Sequence, residues 1–267
     1  MFRINEAAEG VLHVQDALGV CFTLLRGSRG GLLVDTGYGL ESVKELADGL
    51  VRTPYRVALT HGHHDHILGA AEFREVWLCP EDLEEYRLRS GEAQRAVIAD
   101  RARQAGIPVP SDYLTRSMPE PEALTFPDRC LGFESRRVDL GGLTAELIHV
   151  PGHTPGSVVV WIPERELLLT GDDWNPCTWL WFPSSLGVRS WRANMEQVLQ
   201  LPFTRVLCSH QPAIRERKEI EDWFSWLMEE TVDTAPAVDM GSEIRTRKAS
   251  LPERGFEFVF DGDKRDQ

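Results

Sequence analysis

Short apolar runs separated by glycine-rich turns open the chain. Residues 11–14, 20–25 and 31–37 read as three strands of a meander, the last ending in the tight turn Asp35-Thr36-Gly37. Leu40, Val43, Leu46, Ala47 and Leu50 then recur at helical spacing until Arg52-Thr53-Pro54 stops them. Residues 57–60 form a short buried strand, a helix starts at 67–73, and 76–79 is another short strand closed by Pro80. Residues 81–106 are helical in composition, whereas 107–137 carry five prolines and no clear period. Beyond them, 137–140 and 143–150 flank Gly141-Gly142 as a hairpin, and 158–162 with 166–170 form a second pair. Helices follow at 190–201 and 214–230, with a buried strand at 205–208 between them, and the alternation at 256–260 predicts an edge strand. Strands interleaved with helices indicate an α/β or α+β architecture.

One device recurs along this pattern. A short apolar run ends, and within a few residues a metal-ligating side chain follows. Strand 57–60 delivers His61, His63, Asp65 and His66; strand 143–150 delivers His153; strand 166–170 delivers Asp172; strand 205–208 delivers His210. Imidazole and carboxylate are the ordinary ligands of divalent ions, and loops anchored on a sheet hold them in fixed geometry. A histidine-rich run alone can be a solvated loop. The three later ligand positions argue against that. One catalytic ion needs three protein ligands and an open position, so seven donors suit two ions sharing a carboxylate. His64, His13 and His149 are assigned structural roles, and Cys177 a small buried hydrophobe. Asp35 is either a turn residue or a support for a ligand, and Asp173 either a support or a cap.

Composition narrows the function. The 267 residues carry 29 basic and 42 acidic side chains, a formal net charge of −13, which argues against nucleic acid or an anionic membrane as the main partner. No stretch is apolar enough to span a bilayer, and the N-terminus lacks a secretory pattern. Five cysteines without paired spacing read as free thiols, so the expected location is the cytoplasm.

Asp35-Thr36-Gly37, His61-x-His63-x-Asp65-His66, Gly152-His153-Thr154-Pro155-Gly156, Gly171-Asp172 and Ser209-His210 occur in the order in which the metallo-β-lactamase fold superfamily of metal-dependent hydrolases carries them. The chain resembles that superfamily from about residue 11 to 230. The resemblance implies a four-layer αββα sandwich with a dinuclear metal site at one edge. It implies that His61, His63 and His153 hold one metal, that Asp65, His66 and His210 hold the other, and that Asp172 bridges them. It further implies a water or hydroxide shared by the ions as nucleophile, with Asp65 able to orient or shuttle a proton. The expected ions are two zincs, with manganese or iron as alternatives. An aspartate at position 172 is more like the glyoxalase II and lactonase branches than true β-lactamases.

The expected substrate is therefore a small molecule with an ester, thioester or lactone carbonyl. Phosphodiester hydrolysis is the alternative, and an iron-dependent oxidoreductase of the same fold is a more distant one. Trp174, Trp179, Trp181 and Phe182 follow Asp172 closely and are candidate substrate contacts, or else a packing loop or homodimer interface. The expected organisation is one domain over 1–233, with 81–137 as an insertion or lid, and an extension over 234–267.

Overall fold

The computed structural model describes residues 1–266; the final position of the 234–267 segment lies outside the described residues. A first sheet holds β1 (Arg3–Ala8), β2 (Val11–Gln15), β3 (Cys21–Arg26), β4 (Gly31–Val34), β5 (Tyr55–Ala58), β6 (Trp77–Leu78) and β7 (Glu122–Ala123), side by side in chain order. The pairs from β1 to β4 are antiparallel, and those from β4 to β7 parallel. A second sheet holds β8 (Asp128–Cys130), β9 (Phe133–Asp139), β10 (Thr144–His149), β11 (Val158–Ile162), β12 (Leu167–Leu169), β14 (Arg205–Leu207) and β15 (Arg215–Glu216). A small third sheet places β17 (Phe256–Asp261) between β13 (Cys177–Leu180) and β16 (Thr246–Leu251).

The continuous apolar runs are explained by burial of both faces of each main sheet. In β11, Val158, Val160 and Ile162 point into the core between the sheets, while Val159 points outward into a second core. In β12, Leu167 and Leu169 point inward and Leu168 outward. In β4, Leu32 and Val34 point inward and Leu33 outward. Each outer face is then covered by helices. The first is packed by α1 (Val43–Leu50), α3 (Leu83–Arg89) and α4 (Glu92–Gln104), through Val43, Tyr86, Ile98, Ala99 and Ala102. The second is packed by α5 (Val188–Val198) and α6 (Arg217–Trp226), through Trp191, Met195, Ile220 and Trp223. The expected αββα sandwich is the observed one.

Several sequence expectations change. Residues 81–137 are built into the sandwich: α3 and α4 are the outer helical layer, β7 extends the first sheet, and β8 with the start of β9 edges the second. Phe256–Asp261 is not an edge strand but the middle of the third sheet, with Phe256, Phe258 and Phe260 packed beside Trp191 and Trp223. The extension is thereby fastened to the main body, because β17 pairs with β13. The helix expected over 214–230 breaks at Leu227, and a separate α7 (Glu229–Thr234) follows. The helix expected after His66 is one α-turn, α2 (His64–Ile67), continued as a 3-10 turn over Leu68–Glu72. No helix among the described residues is long and apolar enough to cross a membrane, and the five cysteines are free thiols.

His13 lies on β2 with its Nδ1 3.0 Å from Thr23 Oγ1 and its Nε2 3.2 Å from the Gln211 carbonyl oxygen. Burial pulls its pKa down to about 4, against hydrogen bonds that work the other way. Between pH 6.5 and 4 the unfolded chain binds a proton that the folded chain refuses, so stability falls as pH drops through that window. At about 1.4 kcal/mol per pKa unit, the loss is of the order of 3 kcal/mol. Urea denaturation of wild-type and His13→Gln protein at pH 7 and pH 4.5 is expected to show a shallower pH dependence in the variant. Parallel dependences would contradict this assignment.

Candidate metal centre

The loops that leave the carboxyl ends of β5, β10, β12 and β14 converge at one edge of the sandwich, the usual place for a site in a fold with parallel strands. They bring together two groups of donor atoms: His61, His63 and His153 in one, and Asp65, His66, Asp172 and His210 in the other, each within 4.8 Å. Asp172 lies between them. Its Oδ2 is 4.0 Å from His61 Nε2, 3.7 Å from His153 Nε2, 3.5 Å from His66 Nε2 and 2.9 Å from His210 Nε2. His210 Nε2 is also 3.7 Å from Asp65 Oδ2. His64 belongs to neither group and lies 5.9 Å, ring to ring, from Tyr38.

The inner ring nitrogens are those a cation would require. The Nε2 atoms of His61 and His66 and the Oδ1 of Asp172 are buried and have no hydrogen-bond partner. His63 Nδ1 and His153 Nε2 face each other at 2.9 Å. The opposite nitrogens are committed: His61 Nδ1 to Thr60 Oγ1 at 3.1 Å, His66 Nδ1 to Asp35 Oδ2 at 2.9 Å, and His153 Nδ1 to the Trp179 carbonyl at 2.6 Å. Outer partners of this kind set tautomer and ring orientation in metal sites. Burial, then the neighbouring imidazoles, hold His61 well below the usual histidine range. Burial, then His153 and Arg89, do the same to His63. His66 goes the other way: burial opposes protonation, but Asp172, Asp65 and Asp35 raise it well above 6.5. The donor set of imidazoles and carboxylates fits divalent ions.

Three carboxylates position the ligand loops. Asp35 sits at φ 65°, a left-handed conformation uncommon for a residue with a side chain. From there its Oδ1 accepts the Thr60 amide at 2.7 Å, and its Oδ2 accepts the Thr60 hydroxyl at 2.8 Å. Of the two sequence readings for Asp35, the supporting one matches these contacts. Asp173 accepts the His153 amide at 2.7 Å, and burial raises its pKa well above the carboxylate range. Asp82 was not singled out by sequence. It is fully buried and accepts the Gly62 amide at 2.7 Å, the Thr154 hydroxyl at 2.8 Å and the Gly156 amide at 2.6 Å. It thus ties the His61–His63 loop to the His153 loop. Gly62 and Gly156 are needed for this approach: a Cβ on Gly156 would lie 2.7 Å from Asp82 Oδ1, and one on Gly62 would lie 2.6 Å from the Tyr86 amide nitrogen. The only sequence signal for Asp82 was its place just after a strand and Pro80.

A cavity of about 590 Å³ opens onto both donor groups. Trp179 and Phe182 line it, and the Phe182 ring lies 4.5 Å from that of His63. Two of the expected substrate contacts do not line it. Trp174 is fully buried among Trp191, Trp223 and their neighbours, and its carbonyl accepts from Thr170 Oγ1 at 2.7 Å. Trp181 stacks behind Phe182, 4.8 Å away. Cys177 borders the cavity with its thiol 3.1 Å from Glu257. Tyr38, Arg89, Arg101, Asn175 and Gln211 also line it and were not marked by sequence. Apart from this site, Cys79, Glu81 and His149 form another donor group; Cys79 bonds Glu81 at 2.9 Å, and His149 stacks on Phe126.

Asp82→Asn conserves volume but cannot accept all three donors. Loss of such outer support costs about 10–100-fold in metal affinity. The cation affinity of the His61, His63 and His153 group is expected to fall by that factor, measured by chelator competition with zinc-reconstituted protein. Two zinc affinities equal to the wild-type values would contradict the role given to Asp82.

Comparison with known proteins agrees with this geometry. A family model described as the metallo-beta-lactamase superfamily matches residues 17–210. An acyl-coenzyme A thioesterase of Gallus gallus is 30% identical over 170 residues, 57% of this chain and 60% of that one. A hydroxyacylglutathione hydrolase of Haemophilus influenzae is 25% identical over 157 residues, 57% of this chain and 65% of that one. The chain spans 66% of the length of an uncharacterised Mycobacterium tuberculosis protein to which it is 29% identical, a match that takes in 57% of the chain. Among solved structures, a metallo-beta-lactamase from Pontibacter korlensis superposes with a TM-score of 0.59 at 17% identity, over 86% of this chain and all of that one. The protein TTHA1623, solved in a di-iron-bound form, gives 0.52 at 25% identity, over 76% and 92%. With its family motifs gathered at one edge of an αββα sandwich, the chain belongs to the metallo-beta-lactamase superfamily.

Proposed function

We propose that the protein is a dinuclear metal-dependent hydrolase acting on the ester, thioester or lactone carbonyl of a small molecule. The observation that carries this reading is the position of Asp172, with one carboxylate oxygen within 4.0 Å of imidazoles from both donor groups. In this reading His61, His63 and His153 hold one ion, Asp65, His66 and His210 hold the other, and Asp172 is shared. Zinc is the proposed ion; the di-iron form of TTHA1623 makes iron its competitor. Bound divalent ions supply a water of lowered pKa and an electrophilic pull on the carbonyl oxygen.

The chain's own residues do the rest. Asp35, Thr60 and the Trp179 carbonyl hold the imidazoles in register. Trp179 and Phe182 give the cavity an aromatic wall. As the water oxygen bonds to the carbonyl carbon, the carbon–oxygen or carbon–sulfur bond breaks, and the water's proton must reach the leaving group. Asp65 faces the cavity beside His210 and can carry it. A volume near 590 Å³ suits a small molecule. The thioesterase and hydroxyacylglutathione hydrolase among the relatives support a thioester as the first substrate to try. We place this activity in the cytoplasm, with neither nucleic acid nor membrane as partner.

The test is a panel of aryl esters, thioesters, lactones and bis-aryl phosphate, with and without chelator. Chelator-sensitive turnover of a carbonyl substrate is expected, and Asp172→Ala is expected to lower kcat/KM by at least about 100-fold, the scale of losing a group that stabilises the reacting centre. Chelator-sensitive turnover confined to the phosphodiester would replace this reading with a phosphodiesterase. Full activity of Asp172→Ala would contradict the shared-ligand role.

A further inference from the structure

We propose that the substrate carries an anionic group, a carboxylate or phosphate separate from the reacting carbonyl, and that Arg101 recognises it. The proposal rests on the hydrolase reading and names its substrate class. Segment 81–106 is rich in arginine, and its side chains fall into distinct environments. Arg87 pairs with Glu120, Arg89 with Glu85, and Arg103 with Asp100. Arg95 is buried on the inner side of α4, where it reaches the Leu68 carbonyl and Met118. Arg101 alone among these lines the metal-site cavity with no carboxylate within ion-pair distance among the described residues.

Its guanidinium is aimed. Nη1 donates to the Tyr38 hydroxyl at 3.2 Å, and the guanidinium carbon lies 5.9 Å from the Tyr38 ring centre. Tyr38 is itself fixed, because the Tyr113 hydroxyl donates to its carbonyl at 2.8 Å. The Tyr38 ring lies 5.9 Å from His64, next to the ligand Asp65 in sequence. Arg101 therefore stands on the cavity wall that carries the second donor group. Arg89 stands opposite Phe182, its guanidinium carbon 5.5 Å from the ring, but Glu85 compensates its charge at 3.2 Å. The two carboxylates of the cavity, Asp65 and Asp172, are engaged by His66 and His210. A protein of net charge −13 repels small anions at long range. A guanidinium with no carboxylate partner among the described residues, on the exposed rim of the metal-facing cavity, is the local exception, and a planar fork is suited to carboxylate or phosphate.

A charge-assisted hydrogen bond is worth about 1.5–3 kcal/mol, or about 10–100-fold in affinity. The experiment compares phenyl acetate, phenyl hemisuccinate and 4-phosphonooxyphenyl acetate with zinc-loaded wild-type, Arg101→Gln and Arg101→Lys proteins. At least one anionic ester is expected to exceed phenyl acetate about tenfold or more in kcat/KM, mainly through KM. Which of the two does so separates carboxylate from phosphate. Arg101→Gln is expected to collapse that ratio to about threefold or less, and Arg101→Lys to retain part of it. Wild-type protein with no preference for either anion, or Arg101→Gln lowering all three esters equally, would overturn the proposal. If none of the three esters is turned over, the thioester and lactone panel tests the hydrolase reading separately, and calorimetric titration of succinate and of inorganic phosphate decides the anion site. Binding weakened tenfold or more by Arg101→Gln supports it, and equal binding overturns it.

Discussion

Five buried imidazole and carboxylate groups, from His61, His63, His66, His153 and Asp172, turn their ligating atoms toward one another, and several of those atoms have no hydrogen-bond partner. Leaving buried polar atoms unpaired costs about 1–3 kcal/mol each. A fold can sustain that only where the groups are held in place from behind and where something of opposite charge fills the space between them. The backing is visible. Asp35, Asp82 and Asp173 are buried carboxylates that accept hydrogen bonds from amides and hydroxyls of the ligand loops. In the proposed reading, a pair of cations supplies the filling.

This arrangement depends on the sandwich beneath it. Two sheets buried on both faces give strands whose ends are fixed to within the tolerance of core packing. Loops leaving those ends inherit the precision, which is why no ligand comes from the middle of a long helix. The helices have a different task. Through Tyr86, Ile98 and Ala102 they cover the outer face of the first sheet, and from the same turns they project Arg89 and Arg101 toward the cavity. In the proposed reading the strand ends carry the chemistry and the flanking layer contributes to the choice of substrate through Arg101.

Much of the donor set was legible in the sequence, because strand-ending patterns and ligand types coincide there. His61, His63, Asp65, His66, His153, Asp172 and His210 all lie where a short apolar run stops. What was not legible depends on approach in space. Asp82 lies 72 residues from Thr154, to which it bonds. Tyr38 and Arg101 are 63 residues apart. No periodicity reports such contacts. Trp174 shows the opposite failure: only two residues from Asp172, it is packed into the core beside Trp191 and Trp223. The short strands β7 and β8 escaped because two or three residues in a proline-rich stretch carry no measurable alternation. The terminal β17 was recognised as a strand, but its central place required knowing that β13 lies beside it.

The central claim is that two cations share Asp172. A crystal structure of zinc-reconstituted protein, with anomalous scattering recorded above and below the zinc edge, tests it directly. Two zinc peaks are predicted, one among His61, His63 and His153 and one among Asp65, His66 and His210, with Asp172 reaching both. A single peak at full zinc loading, or two peaks with Asp172 touching neither, would contradict the account.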